Sequence, residues 1–134
     1  MGFLKIKQPV LESGRALAPA QTLTVASTGT TITHYGVTII SSSASKIFRI
    51  QTPARAGEIK EIVFRHTAAA AKSVVRPLST AQTFWNSTNG TITATSQQNS
   101  KTPASVRLIS VASTGTYPLT WTIVSKSTAI TIAG

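Results

Sequence analysis

The chain has no cysteine and no aspartate, and its acids number only three: Glu12, Glu58 and Glu61. Without cysteine it can form no disulfide, no thiolate nucleophile and no Cys-based zinc site. Without aspartate a Ser-His-Asp triad cannot be built, so a glutamate would have to orient any catalytic histidine. The two histidines, His34 and His66, lie far apart and give none of the compact ligand spacings of zinc or calcium loops. Gly14, Gly29, Gly57, Gly90 and Gly115 stand singly, so no glycine loop cradles a phosphate. No metal and no cofactor is expected.

Other absences set the class. No run of about twenty apolar residues indicates a membrane-spanning helix. Charge interrupts the N-terminal Met1-Gly-Phe-Leu-Lys-Ile-Lys and no apolar stretch follows it, so it does not read as a signal peptide. Aromatic residues are scarce, at 6%.

Positive charge is what the chain has in excess. Thirteen Lys and Arg give a formal net charge of +10 over 134 residues. Such an imbalance costs self-repulsion and suits a negative partner: nucleic acid, an anionic membrane or an acidic protein surface. The length fits one domain, and at 41% apolar residues there is material for a core.

Val, Ile and Thr dominate the regular stretches, and β-branched side chains pack well on a pleated surface. Short alternating segments between turn residues predict strands at Thr22–Val25, Thr30–His34, Val37–Ser41, Lys46–Gln51 and Ile59–His66. Further strands are predicted at Ser73–Leu78, Thr91–Thr95, Ser105–Val111, Leu119–Val124 and Ala129–Ile132. In the ninth, Leu119, Trp121 and Ile123 share a face. Ile62-Val-Phe64 is apolar on both parities, which predicts burial between two layers or against a neighbouring subunit. The alanine run in Thr67–Lys72 is too short for a stable helix and reads as a loop or single turn. Ser41–Ser45 and Thr95–Pro103 read as exposed loops. The expected fold is all-β: a small antiparallel sandwich or barrel of jelly-roll or β-tulip kind, at residues 21–134.

Residues 1–20 differ in composition, with Pro9 and Pro19 among scattered apolar and basic side chains. They read either as an extended N-terminal arm docking on a neighbour or as a frayed terminus. In the arm reading Phe3, Leu4, Ile6, Val10 and Leu11 supply apolar anchors, and Lys5, Lys7 and Arg15 meet acidic surface. Val25-Ala-Ser-Thr-Gly-Thr30 recurs as Val111-Ala-Ser-Thr-Gly-Thr116, which fits a strand end entering a glycine turn or a duplicated unit.

Candidate catalytic groups do not converge. On one strand Glu58 and Glu61 face opposite ways, as do Glu61 and His66, and His34 could join them only through the fold. Ordinary pairing of the two glutamates with nearby Lys60 and Arg65 is the simpler expectation. Nucleic-acid binding needs stacking faces beside the cations, and Phe48 next to Arg49 and Phe84-Trp85 are the candidates.

Gln51-Thr-Pro-Ala-Arg-Ala-Gly-Glu-Ile-Lys-Glu-Ile-Val-Phe64 resembles a strand–Pro–small–Gly–strand element of the head decoration (capsid cement) proteins of tailed bacteriophages. Tyr117-Pro-Leu-Thr-Trp-Thr-Ile-Val-Ser125 looks like their closing Trp-bearing strand. The resemblance implies a turn bracketed by Pro53 and Gly57, with Gly57 free to take positive φ. It also implies a non-enzymatic virion protein, a homotrimer on the outer capsid surface that bridges subunits of the major capsid protein through its arm. A tail or fibre component and a basic nucleic-acid-binding sheet are the alternatives.

Overall fold

The computed structural model describes residues 20–24, 31–42, 44–66, 72–78, 84, 90–95, 104–113 and 118–133. The arm, with Phe3, Leu4, Lys5, Ile6, Lys7, Val10, Leu11 and Arg15, lies outside them. So do Trp85 and the first copy of the hexapeptide echo. The second copy begins on the last two residues of a strand, Val111 and Ala112, as the turn reading expects.

Ten strands are present among the described residues. They are β1 (Ala20–Thr24), β2 (Thr31–Ile32), β3 (Gly36–Ser42), β4 (Lys46–Ile50) and β5 (Ile59–His66), followed by β6 (Lys72–Pro77), β7 (Thr91–Thr95), β8 (Ala104–Ala112), β9 (Leu119–Lys126) and β10 (Ile130–Ala133). Each overlaps a strand read from the alternation. They form two five-stranded sheets, sheet A in the order β1-β3-β5-β8-β9 and sheet B in the order β10-β7-β6-β4-β2. Of the two expected architectures the sandwich is the one formed.

Strand direction departs from the antiparallel expectation. The pairs β1–β3, β3–β5, β2–β4 and β4–β6 are parallel. The other four pairs are antiparallel. A parallel neighbour needs a crossover, and the usual crossover is a helix. Here a strand of the opposite sheet does that work, since the chain passes from A to B and back between β1 and β6. The first six strands therefore coil: Gln21 lies beside Thr38, and Thr38 beside Ile62. Antiparallel strands then complete each sheet on one flank of the coil. The alternation of apolar and polar residues assigns faces but is blind to direction, so it does not distinguish these parallel pairs from antiparallel ones.

Alternation also explains the core. Ile40, Ile62, Phe64, Val106, Leu108 and Trp121 of sheet A meet Ile32, Phe48, Ile50, Val75, Ile92 and Ile130 of sheet B, all buried. Trp121 Nε1 donates to the Gln51 carbonyl at 2.9 Å, so its one polar atom is satisfied inside. Phe48 and Phe84 are fully buried as well, which removes both as base-stacking platforms.

Candidate binding surface

One end of the sandwich holds a polar cluster that the linear sequence separates. Lys60 shares parity with Ile62 and Phe64, so β5 carries it inward, and it is 0% exposed. Its Nζ donates to Thr38 Oγ1 at 2.6 Å, the Tyr35 carbonyl at 2.8 Å and Thr33 Oγ1 at 3.1 Å. Three acceptors match the three N–H groups of an ammonium, as a buried charge requires. Burial still lowers the Lys60 pKa from 10.5 to about 8. Thr38 Oγ1 passes its own hydrogen to Gln21 Oε1 at 2.8 Å. Gln21 in turn bonds the Thr31 carbonyl and the Thr33 N–H, tying β1 to the β2–β3 crossover.

Beside it, the segment from Pro53 to Glu58 turns the chain into β5. Gly57 has φ +89°, the left-handed conformation expected of it. Ser110 on β8 pins this turn: its Oγ donates to the Arg55 carbonyl at 2.6 Å and accepts from the Glu58 N–H at 2.7 Å. The Glu58 carboxylate accepts from Ala54 N–H at 2.7 Å and from His34 Nδ1 at 3.0 Å. Glu61 faces the other way and meets Arg107 at 3.0 Å. The glutamates thus pair with residues distant in sequence rather than with Lys60 and Arg65: β5 turns Lys60 to the inner face, opposite to Glu61, and Arg107 stands directly across from Glu61.

A histidine oriented by a carboxylate is half of a catalytic triad. Among the described residues no hydroxyl is hydrogen-bonded to the other ring nitrogen of His34, and the Ser110 hydroxyl is committed to the turn. Tyr35, Arg55, Ala56, Gly57, Glu58 and Ile59 line a shallow recess of about 220 Å³ at the rim, too open to exclude water. The cluster acts as a brace that locks the β2–β3 crossover and the Pro53–Glu58 turn to the end of sheet A. Among the described residues no group of three metal-ligating side chains forms, and no helix is long and apolar enough to cross a membrane.

The outer faces of the two sheets differ in character. On sheet A, Val37, Ile39, Val63 and Ile109 are half-buried and Ile59 is 59% exposed, around the mutually neutralised Glu61–Arg107 pair. On sheet B, Thr31, Arg49 and Arg76 form one cross-strand row, and Ile47, Val74, Thr93 and Thr131 the next. Arg49 and Arg76 are register partners on adjacent strands, which lie about 4.8 Å apart. Arg49 donates to the Pro77 carbonyl at 3.4 Å, while Arg76 Nε is buried with no acceptor. No family model and no curated protein matches the chain.

Proposed function

We propose that the protein is a non-enzymatic virion component that binds the outer surface of a tailed-phage head and bridges neighbouring capsid subunits. The observation that carries this reading is the fate of the acids. Both described carboxylates, Glu58 and Glu61, are engaged within the chain, so exposed Arg55, Arg65 and Lys72 have no described carboxylate left to pair with. A surface of that kind is at its most stable against an acidic partner. The positive φ of Gly57 after Pro53 is the turn geometry that the resemblance implied.

Function in this reading is mechanical. A rigid sandwich bridging two or more capsid subunits converts each later contact into an intramolecular one, which raises avidity by about 10²–10⁴. Sibling subunits meet through the outer face of sheet A, where Glu61 and Arg107 neutralise each other and the surrounding surface is apolar. Apart from Arg65 near the end of β5, two chains of charge +10 can approach there, among the described residues, without opposing unpaired cations. Arm residues Phe3, Leu4, Ile6, Val10 and Leu11 extend the capsid contact, flanked by Lys5, Lys7 and Arg15.

A nucleic-acid-binding sheet retains the charge argument but loses Phe48 and Phe84, whose rings are enclosed in the core. The test is co-sedimentation of the purified chain with mature phage heads, with and without residues 1–18. Saturable binding that weakens on removal of the arm supports the reading; heads that pellet without the protein refute it.

A further inference from the structure

The outer face of sheet B sets two arginines side by side on paired strands. Like charges at directly opposite positions destabilise a strand pair. The cost at Arg49 and Arg76 is not offset by a carboxylate: among the described residues neither is in a salt bridge. Arg76 adds a second cost through its buried Nε, which finds no acceptor. A buried donor without a partner needs an explanation, and two adjacent guanidinium charges gain from an anion placed between them.

We propose that this face binds a carboxylate-bearing protein surface, with Arg49 and Arg76 as its paired anchors. The chemistry is anion recognition by adjacent guanidinium groups, each a planar donor fork matched to a carboxylate. The surroundings select protein over nucleic acid as the source of the anion. Ile47 is 47% exposed and Leu78 49%, and with half-buried Val74 they flank the arginine row. Arginine is enriched at protein interfaces, whose fully buried centre is more apolar than the rest of the surface. Single-stranded nucleic acid would want aromatic faces, and this row and its neighbours offer Ile, Val, Leu and Thr. The inference rests on the reading of the protein as a capsid-binding module and names the side of the sandwich that makes the contact.

The site can be tested without any capsid. The full chain is titrated with a decaglutamate peptide at low salt, following backbone and arginine side-chain NMR signals. The expected shifts centre on Thr31, Arg49, Val74 and Arg76. Arg49→Gln and Arg76→Gln should each weaken the peptide about tenfold, the loss of one charge-assisted hydrogen-bonding group. Arg65→Gln removes the same charge from sheet A and should weaken it less than twofold. Melting temperatures of the variants check that the fold is kept. Equal losses at Arg65, or shifts centred elsewhere, overturn the proposal. So does tighter binding of a ten-nucleotide oligothymidine at the same residues. Head co-sedimentation run alongside separates the two ideas: a chain that clamps decaglutamate through these arginines but ignores heads retains the site and loses the capsid reading.

Discussion

The Lys60 ammonium donates to the Thr38 hydroxyl at 2.6 Å, between two side chains with no exposed surface at all. Its folded-state pKa, lowered to about 8 from 10.5 by burial, has a consequence for stability. Between those two pH values the unfolded chain holds a proton that the folded chain has released. Stability therefore rises with pH across that window, and below pH 8 the full cost of the buried charge is present. Urea unfolding of the wild type and of Lys60→Met at pH 7, 9 and 10.5 should show the wild type gaining on the variant as pH rises. Parallel curves would mean that Lys60 titrates normally.

Thr38→Val keeps the shape and removes one of the three acceptors. The ammonium is then left with an unsatisfied donor, at a cost of about 1–3 kcal/mol. Chemical denaturation at pH 7 measures it, and Thr22→Val on the outer face of β1 is the control expected to change little.

Gly57 sits at φ +89° with open space where a Cβ would go. Substitution therefore strains the backbone without a clash. Gly57→Ala should lower stability by about 1 kcal/mol, and Gly57→Asn by less, because asparagine tolerates left-handed geometry. Equal losses for both in thermal melts would assign the cost to something other than φ.

Phe84 is enclosed in the core, so Phe84→Ala should open a cavity and cost about 3–5 kcal/mol. Any loss of oligonucleotide affinity in that variant should track unfolding by circular dichroism. Full stability in the variant would contradict the packing described.

The exposed Ile59 and half-buried Val63 mark the proposed sibling contact. In a homotrimer held by this face, Ile59→Lys and Val63→Lys should shift the solution mass toward monomer while the melting transition of the domain stays cooperative. An unchanged mass in both variants would place sibling contacts elsewhere.

Strand positions were legible because burial alternates with a period of two, and β5 and β7 match the predicted ends. Direction was not, since parallel and antiparallel neighbours bury the same alternating positions. Lys60 illustrates a signal that was present but outweighed: its parity with Ile62 and Phe64 placed it inward, while its charge argued for the surface. The His34–Glu58 and Glu61–Arg107 pairs depend on how distant strands come together, which no local spacing encodes. The same holds for Arg49 and Arg76, twenty-seven positions apart and neighbours only through the parallel coil.

The most direct test of the account is a cryo-EM reconstruction of phage heads incubated with the purified protein. The account predicts extra density on the outer surface, at sites where several capsid subunits meet, with sheet B turned toward the shell. Heads whose outer surface is unchanged at saturating protein would contradict it.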